Sequence, residues 1–81
     1  MPKYFFNIQR GEEIIPDEEG IDLPDLDAVR EEARVGAREI LAEEVLKGHI
    51  HPHQAFVVRD EAGQIALTLN FKGSLNLIDM S

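Results

Sequence analysis

Between Asp25 and Lys47 the apolar positions recur at helical spacing. At about 100° per residue, Leu26, Val29, Ala33, Gly36, Ala37, Ile40 and Leu41 share one broad sector, while Glu31, Glu32, Arg38, Glu39 and Glu43 fall outside it. The spacing predicts a single amphipathic helix with one face toward a core. Asp25, following Pro24, is placed to accept a hydrogen bond from an early backbone N–H as N-cap. At the other end Lys47 sits near the negative end of the dipole and Gly48 accepts the left-handed conformation that ends helices. Gly36 costs roughly 1 kcal/mol against alanine in a helix, so its inward position predicts a close approach to the sheet, over Phe6 or Leu67.

On either side of the helix the period changes to two. Lys3 to Gln9 reads as a strand with Tyr4, Phe6 and Ile8 inward and Phe5, Asn7 and Gln9 outward. Arg10 and Gly11 turn it into a shorter strand around Glu13 to Pro16, where Pro16 cannot donate to a ladder and marks an edge or an end. The segment from Asp17 to Leu23 reads as a turn and lead-in. After the helix, Phe56 and Val58 share one face of a strand, a short connection from Asp60 to Gly63 follows, and Ile65, Leu67, Leu69 and Phe71 alternate with Ala66, Thr68, Asn70 and Lys72. The expected fold is a two-layer α+β domain of order ββαββ, one helix packed on a four-stranded, largely antiparallel sheet. Residues 1–72 form this single domain, and the apolar tail 73–81, with Leu75, Leu77, Ile78 and Met80, is expected to dock. Phe5, Val57 and Ile15 are expected to look away from the helix.

Charge narrows the partners. With 16 acids against 8 bases the formal charge is -8, which opposes a phosphate backbone, so nucleic acid is not expected. Cysteine is absent, excluding disulfides and thiolate ligands. The N-terminus has no h-region or membrane span, and a cytoplasmic protein with no membrane association is expected. The acidic run from Asp17 to Asp22 lacks EF-hand spacing and reads as a solvated turn that discourages edge pairing. Arg30, Arg34 and Arg38 form a basic stripe on the helix, with Asp27 and Glu31 placed to neutralise the first two.

One segment invites chemistry. His49, His51 and His53 stand at alternate positions, and an extended backbone would point three imidazoles to one side, where zinc or nickel would suit them. Glu43 or Glu44 on the last helical turn would add a carboxylate. The plainer reading, a solvated loop, is preferred, and no cofactor is expected. Ser74, Ser81 and Thr68 have no context of an activated nucleophile and no phosphate-cradling glycine loop is present, so catalysis is not expected.

Taken in order, Tyr4-Phe5-Phe6, Asp17-Glu18-Glu19-Gly20, Leu23-Pro24-Asp25, the helix from Ala28 to Leu46 and Arg59-Asp60-Glu61-Ala62-Gly63 resemble a family of short bacterial proteins catalogued as a domain of unknown function. Its members open with a YFF-type strand followed by a DEEG and LPD segment. The resemblance reaches to about Phe71 and implies a small soluble bacterial domain, with no catalytic residues to carry over. The histidine loop and the tail fall outside it. The expected function is a non-catalytic interaction or self-associating module. Its contact surface is the outer sheet face or an edge strand, with Phe5, Val57, Leu77 and Ile78 as contact residues and a homodimer or another protein as partner.

Overall fold

The computed structural model describes residues 1–51 and 53–72, so the tail, with Leu77 and Ile78, lies outside the described residues. Strands β1 (Lys3–Arg10), β2 (Glu13–Ile15) and β3 (Ile21–Asp22) precede helix α1 (Leu26–Lys47), and β4 (Gln54–Arg59) and β5 (Ile65–Asn70) follow it. All the strand pairs are antiparallel, in the order β2-β1-β4-β5, with β3 also on β1. The helix therefore serves as the connection that carries the chain from the β2 and β3 edge across to β4. Among the described residues no helix is long and apolar enough to cross a membrane.

Local signals set the helix ends. The Asp25 carboxylate accepts from the Ala28 N–H at 2.9 Å, and Gly48 ends the helix at φ 73°. Gly48 N–H donates to Val45 O and His49 N–H to Glu44 O, the paired bonds of a Schellman motif. Along the 22 residues between, Val29, Ala33, Ala37 and Leu41 are buried. They close over Tyr4, Phe6, Phe56, Val58 and Phe71. Small residues let the helix sit low: a Cβ at Gly36 would lie 3.3 Å from Cζ and 3.4 Å from Cε2 of Phe56. The close approach expected of Gly36 is present, but over Phe56 rather than Phe6 or Leu67. The Phe56 ring is held edge-on to Phe6 at 5.8 Å and tilted against Phe71 at 4.8 Å.

Three apolar positions depart from the expected faces. Ile15 pairs with Ile8 and so shares the helix side, while Ile14, opposite Gln9, is 63% exposed on the outer face. A register shift at Val58 and Arg59 places Arg59 opposite Ile65, so the alternation that keeps Leu67 and Leu69 inward breaks there and leaves Ile65 56% exposed. Leu26, in the first helical turn, is exposed as well. Phe71 lies just past the end of β5 and is nonetheless buried.

The acidic turn contributes more than solvation. Ile8 pairs with Ile15 and Tyr4 with Ile21, so the edge strand spends six residues where β1 spends four, and regular pairing lapses between. Asp17 fills the lapse. Its Oδ2 accepts the Phe6 N–H at 3.0 Å, its Oδ1 accepts from Glu19 and Gly20 N–H at 3.2 Å each, and its own N–H donates to Asn7 Oδ1 at 2.9 Å. Gly20, at φ 74°, then passes close to Lys3 and Phe5, where a Cβ would meet Cγ at 2.8 Å and Cε1 at 2.9 Å. Replacing the charged acceptor strands three N–H groups at once. Asp17→Ala is expected to cost about 2 kcal/mol, on the order of a 10 °C fall in Tm for a domain of this size, with Asp17→Asn intermediate. A thermal melt of Asp17→Ala within a degree or two of wild type would dismiss this role.

Candidate functional site

Two regions bear on function, one at the end of the helix and one on the open face of the sheet. Strand parity builds the first. Arg10 follows Phe6 and Ile8 on the helix side of β1, Gln54 precedes Phe56 on the same side of β4, and the two are opposite each other in register. Glu44 continues the buried helical stripe three residues after Leu41. Three polar side chains thus converge where the apolar core ends.

Glu44 and Gln54 are 8% and 4% exposed, so every polar atom there requires a partner. Gln54 Nε2 donates to Glu44 Oε1 at 2.9 Å and Oε2 at 3.1 Å, and also to His51 O at 3.2 Å. Glu44 Oε1 accepts the His51 N–H at 3.3 Å, and Oε2 lies 3.1 Å from His51 Nδ1. Arg10 Nε and Nη2 donate to Gln54 Oε1 at 3.2 and 3.1 Å, and Nη2 lies 3.8 Å from Glu44 Oε2. Among the described residues no buried side-chain nitrogen or oxygen is left without a partner. Burial pushes the Glu44 carboxyl toward its neutral form, but hydrogen bonds from the His51 backbone and ring and from Gln54, with the charge of His51, outweigh it and hold the group below the ordinary carboxylate range. The result is a charged lock that fastens the end of β1, the last helical turn and the start of β4 to the loop between them.

The histidines divide between different tasks. His51 joins the lock through its backbone and ring, and the His49 ring stands edge-on to it at 4.7 Å. His53 is exposed and its carbonyl accepts the Gly11 N–H at 3.0 Å, tying the loop to the first hairpin turn. Of the two carboxylates considered beside this loop, Glu44 meets His51, whereas Glu43 faces Lys47 at 3.8 Å on the exposed side. Among the described residues no three His, Cys, Asp or Glu side chains are grouped to hold a metal. Arg10 and Gln54 were not singled out by sequence motifs. Their signal was parity, a long polar side chain at a core-facing strand position on each of two neighbouring strands.

The second region is the sheet face away from the helix. Phe5 pairs with Arg59, Asn7 with Val57 and Gln9 with Ala55, and on the flanks Ile14 stands opposite Gln9 and Thr68 opposite Val57. Asn7, Gln9, Ile14, Val57 and Arg59 line a shallow depression at its centre. Phe5 and Val57 are half-buried on this face, Phe5 against the Gly20 turn. In a chain of charge -8 the strand residues here carry two cations, Lys3 and Arg59, against one carboxylate, Asp22 opposite Lys3. In the basic stripe on the helix Arg30 lies 3.6 Å from Asp27 and Arg34 3.4 Å from Glu31, while Arg38 Nε donates to Arg34 O at 3.5 Å.

No curated protein matches the chain, and no solved structure does. A family model matches residues 3–72, the whole of the described sheet and helix, and the chain belongs to that family, Domain of unknown function (DUF6894).

Proposed function

We propose that this protein is a small non-catalytic interaction module that engages another protein through the open face of its sheet. The carrying observation is the composition of that face: Ile14 and Val57 lie with Asn7, Gln9 and Arg59 around a shallow depression, Phe5 stands opposite Arg59 on the same face, and the strand residues there carry one carboxylate, Asp22, on a strongly acidic chain. Apolar area supplies the driving force of association, and a surface with a single strand carboxylate escapes the repulsion between acidic groups that the rest of the molecule presents. The partner that fits is an apolar protein surface bearing a carboxylate for Arg59. The buried polar cluster supports the non-catalytic reading, since the Glu44 oxygens are already engaged by donors from Gln54 and His51 that hold the fold together.

Site-specific photocrosslinking tests the surface. A photoreactive residue at position 57 is expected to give a discrete protein adduct in cells, lost on Phe5→Glu, while one at position 39 on the solvent side of the helix gives none. Equal capture at both positions, or capture at position 57 indifferent to Phe5→Glu, would remove the open face from the proposal. An adduct of twice the chain's own mass would identify the partner as a second copy.

A further inference from the structure

The two edges of the sheet are unlike. The edge formed by β2 and β3 is three residues and then two, interrupted by Pro16 and by Asp17, whose carboxylate already occupies the Phe6 N–H. Glu12, Glu13, Glu18, Glu19 and Asp22 surround it. Such short, acidic, proline-marked edges repel a foreign strand. The opposite edge is β5, Ile-Ala-Leu-Thr-Leu-Asn, six residues without charge, proline or glycine. Among the described residues it pairs with β4 and with no strand beyond. A row of backbone donors and acceptors on an uncharged strand of this kind is a template for another strand.

We infer that β5 pairs antiparallel with β5 of a second copy, across a twofold axis through Thr68. Closure selects this occupant. A strand offered by the β2 and β3 edge of another molecule would build an open filament, and that edge is blocked by Asp17 and its neighbouring acids; β5 against itself closes after two copies. Charge selects it too, because β5 brings no like charges together although each chain carries -8. Residues paired across strands share a face, so a register centred on Thr68 sets Thr68 against Thr68 on the open side. It sets Leu67 against Leu69 on the helix side, where both side chains are only partly covered within one copy. The two open faces then lie on the same side of one continuous sheet, doubling the surface proposed above. Six residues of edge pairing is a small contact beside the roughly 1,200 to 2,000 Å² of stable complexes, so the dimer dissociates on dilution.

Sedimentation equilibrium of the full chain over a range of concentrations tests this. Wild type is expected to shift from monomer to dimer as concentration rises. Thr68→Lys and Thr68→Glu, each placing like charges across the axis, are expected to weaken self-association about tenfold, and an equimolar mixture of the two to restore a heterodimer. Circular dichroism of each variant separates loss of pairing from loss of fold, and the mixture does so independently. A chain that stays monomeric, as it would if residues 73–81 took the edge instead, overturns the inference. So does a dimer indifferent to Thr68→Lys and Thr68→Glu, or one abolished by Phe5→Glu with Val57→Glu, which would place self-association on the open face. The inference rests on the interaction-module reading only for its consequence: a dimer that fails to crosslink at position 57 retains the edge contact and discards the doubled surface.

Discussion

Glu44→Ala is expected to unfold well below wild type, by about 3 kcal/mol, or on the order of 15 °C in Tm. The loss exceeds that of a surface carboxylate because Gln54 Nε2, the His51 N–H and the His51 ring all direct hydrogen bonds at its two oxygens. Removing the acceptor takes the partner from the His51 N–H and ring, leaves Gln54 Nε2 only the His51 carbonyl, and costs Arg10 the carboxylate 3.8 Å away. Glu44→Gln keeps the volume but turns an amide NH2 toward donors, and is expected to fall between. The same carboxyl gives the effect a pH signature. Folding holds Glu44 below its ordinary value of 4.5, so the unfolded chain takes up the proton more readily than the folded one. Its contribution is therefore complete above that value and is lost as pH falls through the lower folded pKa. Urea unfolding at neutral pH and at about pH 3.5 checks this: wild type should lose more stability between the two than Glu44→Gln. Equal losses would mean that Glu44 carries no special share of the acid sensitivity of a chain with 16 acids.

Gly36→Leu is the second large effect, and Gly36→Ala is its control. Alanine gains up to about 1 kcal/mol of helix propensity, against a Cβ that meets Phe56 Cζ at 3.3 Å and requires the ring to give slightly. The two terms nearly cancel, and Gly36→Ala should melt close to wild type. Leucine drives three further carbons into a ring already fixed by Phe6 and Phe71. Overpacking of this kind is expected to cost about 2 to 3 kcal/mol. Thermal melts of the two variants decide it, and a similar Tm for both would mean that the helix has room to lift from the sheet.

The helix was legible because its signals are local. Asp25 caps it, Gly48 ends it at positive φ, and Val29, Ala33, Ala37 and Leu41 face inward as their spacing requires. The outer positions of Phe5 and Val57 followed from alternation. Where alternation failed, the cause lay in another strand: Ile65 turned outward because pairing with β4 shifts register at Arg59, and Ile15 turned inward because pairing with Ile8 sets its parity. The histidine spacing suggested three equivalent ligands, but His51 is claimed by Glu44 on the last helical turn and by Gln54 at the start of β4, while His53 is tied through its carbonyl to Gly11 in the first hairpin turn.

Sequence alone established the ββαββ order of the main elements, the helix with both its ends, the face that forms the core and a net charge of -8. Periodicity and capping act between residues a few positions apart, so they can be read along the chain. Tertiary structure alone decided that Asp17 repairs a lapse in the β1 edge, that Phe56 receives Gly36, and that Arg10, Gln54, Glu44 and His51 close one charged network. Each joins residues whose meeting depends on register and on the path of the helix over the sheet, and a buried polar group is satisfied by whatever the fold brings within about 3 Å of it.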